Sequence, residues 1–400
     1  MIKYEDILKA RENLKGILLD TPTKYNQEFS DISQNEIYLK LENFQKTGSF
    51  KIRGACNKVA SLSESAKKKG IITASAGNHA QGVALAAALR NIKAVVVMPE
   101  TTPIAKITAT KEYGAEVLLY GDGYDEAYKK AVEIRDRAEM TLIHAFDDPF
   151  VIAGQGTIGL EMLEDMYDLD IIVAPIGGGG LISGIGTAAK RIKPGIKLIG
   201  VETVGFDAMR QSVAAKKIMS INMANTIAEG IAVRKPGSIT FQMVNTYVDD
   251  IVTVTEDEIA STILLMMEKA KFIVEGAGAA ALASAIHKKL GVRDKKIGVV
   301  ISGGNIDINL LSLIIHKGLV KSGRKVQIKT ILKDRPGQLD ALLDLLAEAK
   351  VNIISINHER DRLGVEIGFA EVDLTVETEG VEHAERLCRL MKSRGYAAEI

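Results

Sequence analysis

Short β-branched runs alternate with longer segments of helical apolar spacing along most of the chain. Strands are predicted at 37–41, 71–74, 94–98, 115–119, 171–174, 197–201, 251–254 and 297–301. Helices are predicted at 81–89, 104–113, 124–138, 159–166, 181–191, 275–290 and 308–319, with one more opened by Thr255 and Glu258 in capping-box spacing. This alternation is typical of βαβ units, which build parallel sheets covered on both faces. We therefore expect an α/β fold of two doubly wound subdomains, with any ligand at the carboxyl ends of the strands.

The order of the elements changes after Ser322-Gly323-Arg324. Strands are predicted at 326–332, 351–356, 364–376 and 396–400, and helices at 337–349 and 381–393. This order is βαββαβ, the ferredoxin-like plan. We expect a catalytic domain over 1–322, with a smaller subdomain at about 51–152, and a small regulatory domain over 326–400.

Composition and charge exclude several classes of protein. The 400 residues are 46% hydrophobic and 26% charged, and 51 Lys and Arg balance 51 Asp and Glu, so no electrostatic feature favours a nucleic-acid or membrane partner. No apolar run reaches membrane-spanning length, and Glu5 and Asp6 stand where a signal peptide would be apolar, so a cytoplasmic location is predicted. Cys56, Cys388 and six scattered histidines indicate neither disulfides nor a metal site.

Lys51 lies at the centre of Gly48-Ser49-Phe50-Lys51-Ile52-Arg53-Gly54-Ala55, which follows the first predicted strand and opens a helix. It shares an apolar stripe with Ala55, Val59 and Leu62. Burial and the positive end of the helix dipole both lower the pKa of a lysine, and a neutral amine is a nucleophile. The alternative is a lysine that snorkels from a helix edge, so other stretches must decide.

Four successive glycines, Gly177 to Gly180, follow a buried strand and lead into a helix. Backbone N–H groups at such a turn can bind a phosphate. The turn lacks the Lys-Ser/Thr of a P-loop and the spacing of a dinucleotide fingerprint, although Glu202 at a later strand end leaves a nicotinamide enzyme open. A flexible turn without a ligand is the other alternative.

Two further stretches lie at predicted strand ends. Ser75-Ala76-Gly77-Asn78-His79 suits an anion of carboxylate size, or is an ordinary capped turn. Ser302-Gly303-Gly304-Asn305 adds the neutral hydroxyl of Ser302. An amine nucleophile, a phosphate cradle, a carboxylate pocket and a hydroxyl donor together are what pyridoxal 5'-phosphate and an amino-acid substrate require.

Over roughly residues 1–320 the chain resembles the fold-type II pyridoxal-phosphate enzymes, and most closely the threonine dehydratases (threonine ammonia-lyases). The resemblance is carried by 38–43, 47–55, 75–82 and 177–180, which occur in family order. It implies roles in cofactor binding for Lys51, Phe50, Asn78, Gly177, Gly178, Gly179, Gly180 and Ser302. It implies that Ser75, Gly77, Asn78 and His79 receive the substrate carboxylate.

The resemblance also implies a β-elimination that converts L-threonine to 2-oxobutanoate and ammonia, and L-serine to pyruvate. Lys51 would both carry the cofactor and remove the α-proton. Related serine racemases have a second serine where this chain has Ala76, so racemisation should be poor. Those racemases also hold a divalent ion; Glu202 matches its first ligand but Ala208 replaces a later aspartate, so no metal is predicted. A β-replacement reaction, as in cysteine synthases, stays open.

The C-terminal segment resembles an ACT domain through Asp334-Arg335-Pro336-Gly337-Gln338-Leu339. The resemblance implies an amino-acid effector, such as isoleucine or valine, bound by Asp334, Gly337 and Leu339, which fits allosteric control in isoleucine biosynthesis. It also implies a homo-oligomer, a dimer or tetramer. An oligomerisation module without ligand, and a non-catalytic amino-acid sensor, are the alternatives.

Overall fold

The computed structural model describes residues 1–222 and 225–398. By internal contacts the chain divides into two compact units, Met1–Ile306 and Asp307–Ile400. Among the described residues the strands are β1 Thr23–Tyr25, β2 Glu36–Leu41, β3 Ile71–Ala74, β4 Ala94–Met98, β5 Glu116–Leu119, β6 Thr141–Leu142, β7 Ile171–Pro175, β8 Lys197–Thr203, β9 Asp250–Val254, β10 Lys296–Ile301, β11 Lys325–Lys333, β12 Asn352–Glu359 and β13 Phe369–Glu377.

The α-helices occupy most of the segments between these strands. They are α1 Tyr4–Leu14, α2 Gln27–Ser33, α3 Lys51–Ala60, α4 Glu64–Lys69, α5 Asn78–Ala88, α6 Ile104–Glu112, α7 Tyr124–Ala138, α8 Pro149–Asp165, α9 Gly180–Ile192, α10 Ala208–Ala215, α11 Ser238–Tyr247, α12 Glu256–Leu265, α13 Gly276–Ile286, α14 Ile308–Lys321, α15 Gln338–Glu348 and α16 Val381–Ser393. Short 3₁₀ turns at Glu42–Phe44 and Lys46–Gly48 connect β2 to α3.

The larger sheet of the first unit has six strands in the order β1-β2-β10-β7-β8-β9. All neighbours are parallel except β1 and β2. The central strand β10 brings distant parts of the chain together, because Val299 pairs with Leu39 on one side and with Val173 on the other. The segments after β2, β7 and β10 therefore leave the sheet at the same edge.

The smaller sheet is parallel, with the order β5-β4-β3-β6. A core of residues from α3, α5, β3 and β4 packs against it, including Ile52, Val59, Val83 and Val96. The helix carrying Lys51 is thus part of the core beside one sheet, while the strand before it belongs to the other. The predicted α/β fold with two doubly wound subdomains is confirmed.

Helix α8 is longer than the sequence pattern predicted. The prediction of 159–166 was wrong at its start, because the helix begins at Pro149. Asp148 caps it by accepting from the N–H groups of Phe150 (2.8 Å) and Val151 (3.2 Å). An aspartate followed by proline at the first helical position is a start signal that the apolar spacing does not contain.

The second unit contains an antiparallel sheet in the order β11-β13-β12, with its core formed together with α15 and α16. The predicted strand at 396–400 was wrong as far as the structure describes it, since 396–398 follow α16 without strand structure and 399–400 lie outside the described residues. Residues 1–222 and 225–398 contain no helix long and apolar enough to span a membrane.

Candidate active site

Lys51 is the first residue of α3, and its amine points into the first unit. Its Nζ donates to the carbonyl oxygen of Ala145 at 3.1 Å and lies 5.1 Å from the centroid of the Phe50 ring. Ala55 and Val59 on the same stripe are fully buried, and Lys51 itself is half-buried. Burial lowers the pKa of Lys51 to about 8, and the nearby Glu275 carboxylate opposes the shift. About a tenth of this amine is therefore neutral at pH 7, far more than for a lysine of ordinary pKa.

The loop after β10 runs beside the lysine segment. The N–H of Phe50 donates to the carbonyl of Ser302 at 3.1 Å, and Ser49 and Gly303 form an antiparallel bridge. The side chain of Phe50 is buried, and Ser302 is only 2% exposed. The two predicted cofactor residues are thus fixed next to each other by backbone hydrogen bonds.

The glycine turn lies between β7 and α9. Gly179 precedes the helix with φ +91°, and no side chain caps the helix start. The N–H groups of the first helical turn have no intrahelical acceptor, so they are free to bind an anion.

Close packing explains why this turn needs glycine. A Cβ added at Gly178 would lie 2.2 Å from the Phe146 ring, and one at Gly180 would lie 2.9 Å from the Phe146 carbonyl oxygen. Thr240 Oγ1 donates to the Gly178 carbonyl at 2.6 Å. Because Phe146 follows Ala145, the acceptor of Lys51, the segment 145–146 joins the lysine to the turn.

Ser75 and Gly77 connect the end of β3 to α5. The Gly77 N–H donates to Ser75 Oγ at 3.3 Å, and Gly77 precedes the helix without a side-chain cap. Ala76 between them has no polar side chain. The start of α5 therefore offers backbone N–H donors at the place predicted to bind a carboxylate.

His79 is buried and has a defined tautomer. Its Nε2 lies 3.0 Å from the Ile143 carbonyl oxygen, which can only accept, so Nε2 carries the hydrogen and Nδ1 is an acceptor. Nδ1 has no hydrogen-bond partner in the described structure. Burial, with a contribution from the Lys51 charge, lowers the pKa of His79 to about 3. A carboxylate here would meet the backbone N–H of His79 and not its ring.

Asn78 belongs to a polar network that the sequence analysis did not identify. Its Nδ2 donates to Glu275 Oε1 at 2.7 Å, and its Oδ1 accepts from Asn305 Nδ2 at 2.7 Å. Burial raises the pKa of Glu275 to about 7, although the Asn78 hydrogen bond opposes this. Asn305 belongs to the stretch Ser302-Gly303-Gly304-Asn305, whereas Glu275 is an isolated acid at the start of the helix predicted over 275–290.

The carboxylate of Glu202 accepts hydrogen bonds from the first turn of helix α10. It is 1% exposed and accepts from the N–H groups of Met209 (3.0 Å) and Arg210 (2.8 Å) in α10. Burial raises the pKa of its carboxyl to about 8. Ala208 is the first residue of that helix. In the part of the chain that the structure describes, no group of three His, Cys, Asp or Glu could hold a metal ion.

The predicted effector residues lie in the second unit, in the loop after β11 and in the first turn of α15. Asp334 pairs with Arg360 at 3.1 Å, Gly337 precedes α15 with φ +84°, and Leu339 is half-buried. An open cavity of about 440 Å³ lies at the opposite end of the sheet, lined by Lys350, Val351, Asn352, Glu377, Thr378, Glu379 and His383.

The residues of the first unit fit pyridoxal phosphate. An amine of lowered pKa, an aromatic side chain and a buried hydroxyl lie together at Lys51, Phe50 and Ser302. The uncapped start of α9, where a Cβ would clash, suits a phosphate group.

Comparison with known proteins agrees with this arrangement. Residues 15–303 match the model of the pyridoxal-phosphate dependent enzyme family, and residues 326–387 match the ACT domain. The chain is 49% identical over 400 residues to L-threonine ammonia-lyase of Thermotoga maritima, with all of both chains covered.

Two of the solved structures that resemble this chain each cover more than three quarters of it. One is maize serine racemase, with 35% identity, a TM-score of 0.76, and coverage of 80% of this chain and 98% of the other. The second is threonine deaminase isoform 2 from Solanum lycopersicum, with 36% identity, a TM-score of 0.74, and coverage of 78% and 93%. The chain therefore belongs to the pyridoxal-phosphate-dependent enzyme family, and it also carries a C-terminal ACT domain.

Proposed function

We propose that this chain is a threonine dehydratase, in which residues 1–322 convert L-threonine to 2-oxobutanoate and ammonia, and L-serine to pyruvate. Residues 326–400 regulate that reaction. The observation that carries the proposal is the Lys51 amine, which has a lowered pKa and lies beside the segment that packs on the glycine turn. The full-length similarity to an L-threonine ammonia-lyase supports the choice of substrate.

The cofactor would be held by the residues predicted from the sequence. Lys51 binds it covalently, Phe50 packs on its ring, and Asn78 and Ser302 donate to its polar atoms. Gly177 to Gly180 bind its phosphate through backbone N–H groups. When bound, pyridoxal phosphate withdraws electrons from the substrate Cα and so acidifies the proton on that carbon.

The substrate amine would displace Lys51 from the cofactor, and the freed Lys51 amine would act as the base. Its Nζ, already depressed in pKa by burial, takes the proton from the substrate Cα. The backbone N–H groups at the start of α5 hold the substrate carboxylate, and the neutral ring of His79 adds no positive charge there. Ala76 offers no hydroxyl to return a proton to the opposite face, which favours elimination over racemisation.

The purified chain with pyridoxal phosphate tests this proposal. L-Threonine and L-serine are supplied separately, and 2-oxobutanoate, pyruvate and D-serine are measured, together with consumption of added sulfide. We expect both oxo acids, little D-serine and no sulfide uptake. Lys51→Ala should abolish turnover. Lys58→Ala removes another lysine of α3, one that pairs with Asp148 at the start of α8, and should retain turnover. Absence of both oxo acids from the wild-type enzyme would refute the dehydratase assignment.

We propose in addition that Asp334, Gly337 and Leu339 bind an amino-acid effector, with its ammonium group near Asp334. Asp334 is the acid that an ammonium would approach, and it now pairs with the exposed Arg360. Isoleucine and valine are the first effectors to test, by following threonine turnover. Asp334→Asn should remove the response without changing the unregulated rate, and Asp340→Asn is the control. A full response in Asp334→Asn would exclude this site.

We also propose a homo-oligomer that pairs through β12. This strand lies at the edge of its sheet and exposes Ile353 (39%), Ile354 (47%) and Ile356 (37%). An exposed apolar edge strand is a template for pairing with another chain. Light scattering should show a dimer or tetramer, and Ile354→Lys should dissociate it; a wild-type monomer would contradict the proposal.

We finally propose a cytoplasmic location. It is supported by the two cysteines, which are free, with Cys56 buried and Cys388 partly exposed. Cell fractionation tests it directly.

A further inference from the structure

Glu275 is a half-buried carboxylate beside the candidate site that the mechanism above does not use. It lies immediately before α13, and its N–H donates to the Gly303 carbonyl at 3.2 Å. Its Oε1 accepts from Asn78 Nδ2 at 2.7 Å. Glu275 therefore contacts the loop after β10 through its backbone and the start of α5 through its carboxylate.

The absence of a side chain at Gly303 leaves room for this carboxylate. A Cβ added at Gly303 would lie 2.5 Å from Glu275 Oε1, and one at Gly230 would lie 3.4 Å away. A separation of 2.5 Å is below any real contact of a Cβ, so Gly303 leaves the space that the carboxylate occupies. The loop after β10 thus provides a slot for this side chain.

The network determines which way the amide of Asn78 faces. An ionised carboxylate only accepts, so Glu275 requires the Nδ2 of Asn78 on its side. On the other side, Asn305 Nδ2 donates to Asn78 Oδ1 at 2.7 Å and to the Thr47 carbonyl at 2.7 Å, so its two hydrogens are both used. A nitrogen with both hydrogens committed cannot accept, so Asn78 must present its oxygen to it. Each partner excludes the flipped amide.

We propose that Glu275 and Asn305 are positioning residues that fix the Asn78 amide, so that the second hydrogen of Nδ2 donates to the oxygen at ring position 3 of the cofactor. This inference rests on the proposed function, because the contact between Asn78 and the cofactor is part of that proposal. Glu275 acts through Asn78 and is not itself assigned a contact with substrate or cofactor.

The orientation matters for the charge on the cofactor. An N–H donor stabilises the anionic form of the ring 3-oxygen, and an amide oxygen turned toward it would disfavour that form. The anionic and neutral forms absorb in the visible and near-ultraviolet, so the ratio of the two bands reports which atom of Asn78 faces the ring.

The network also predicts a dependence on pH. Burial raises the pKa of Glu275 to about 7, with Lys106 and Lys51 lowering it and Glu229 raising it from the other elements around the site. A protonated Glu275 can donate to an amide oxygen, so the constraint on Asn78 weakens as the pH falls through about 7. The visible band should therefore decrease over the same range.

The experiment compares four variants of the full chain. Wild-type enzyme is first checked for a visible cofactor band and for threonine turnover, so failure of the proposed function is recognised separately. Glu275→Ala, Glu275→Gln and Asn305→Asp are then measured for cofactor affinity, band ratio from pH 5.5 to 9 and thermal stability. Glu256→Gln is the control, since Glu256 is half-buried and accepts from Thr226 Oγ1 (2.6 Å) and the Ile227 N–H (2.7 Å) away from Asn78.

Glu275→Ala and Asn305→Asp should weaken cofactor binding about tenfold, the effect of one hydrogen bond to a charged group, and should lower the visible band. Glu275→Gln, which is isosteric and should fold even if the alanine variant does not, should abolish the change near pH 7. Glu256→Gln should alter stability alone. If Glu275→Gln keeps the wild-type band ratio and its pH dependence, the positioning role is refuted. Loss of stability in Asn305→Asp without any change in the band ratio would also refute it.

Discussion

Arg53→Ala is expected to destabilise the first unit strongly, because it leaves buried carboxylates without their cation. Arg53 is 0% exposed, and its Nε and Nη2 each donate to Glu42 at 2.8 Å. It also donates to Glu161 at 2.5 and 2.8 Å. Burial alone would lower the pKa of Arg53, but the carboxylates of Glu42 and Glu161 hold it above its ordinary value. This guanidinium is charged at every accessible pH.

The magnitude follows from what remains after truncation. Glu42 is 0% exposed and would keep only the Thr21 hydroxyl, at 2.5 Å, of its present side-chain donors. Removing one partner of a buried, hydrogen-bonded ion pair typically costs about 3–5 kcal/mol. Glu161 loses less, because Lys40 Nζ still lies 2.7 Å from it and its side chain is 30% exposed. We therefore expect a loss near 3–5 kcal/mol in the free energy of unfolding.

Urea denaturation followed by circular dichroism measures this loss, with Arg11→Ala as the control. Arg11 makes an equally short pair with Glu164, 2.6 Å, but the two side chains are 44% and 58% exposed. An exposed pair is worth about 0–1 kcal/mol, so Arg11→Ala should barely change the urea midpoint. Equal effects of the two substitutions, both below about 1 kcal/mol, would refute the argument that burial decides the cost.

Three further outcomes are expected. The rate at which the cofactor-free chain incorporates pyridoxal phosphate, followed by absorbance, should rise about tenfold per pH unit below about pH 8 and level off above it, because Lys51 becomes neutral there. A rate that still rises at pH 10 would contradict this expectation. Gly178→Ala, whose Cβ would lie 2.2 Å from the Phe146 ring, should cost about 1–3 kcal/mol in thermal unfolding and weaken cofactor binding, whereas Gly195→Ala, which faces open space, should do neither. Burial alone would raise the pKa of Glu161, but Arg53 and Lys40 hold it below 4.5. The ionised Glu161 therefore stabilises the fold above pH 4.5, and this contribution is lost as the pH falls below that value. The denaturation midpoints of wild type and Glu161→Gln should accordingly converge in acid.

Local patterns in the sequence were sufficient for most of the elements and for the positions of the loops in the candidate site. The stretches around Ser75, Gly177 and Ser302 each follow a β-branched run and lie at or near a strand end, whereas two short 3₁₀ turns separate Lys51 from β2. The loops after β2, β7 and β10 leave one edge of the larger parallel sheet, whereas Ser75 follows β3 of the smaller sheet. The residue types indicated a nucleophilic amine, a phosphate cradle and a carboxylate pocket, whereas the individual roles came from the family resemblance and stay predictions.

Other features depend on pairings that no local pattern contains. A run such as Ile37 to Leu41 shows that it is a strand but not which strand it joins, and its partner β10 lies some 260 positions later. The roles of Glu275, Asn305 and Arg53 appear only when their partners are known, because a lone acid, amide or arginine is most often at the surface. The wrong strand at 396–400 came from apolar residues that instead pack in the core, including Ala398.

The position of β10 has a consequence for how the enzyme is made. Leu39 and Val173 are joined only through Val299, so the large sheet is split until the ribosome has delivered nearly all of the first unit. Closing so long a loop is slow compared with local folding. The lysine segment, which hydrogen-bonds to Ser302, likewise waits for the last strand. A nascent or truncated chain that ends before residue 296 should therefore be unable to bind its cofactor. The visible absorbance of the bound cofactor should appear only after synthesis has passed β10.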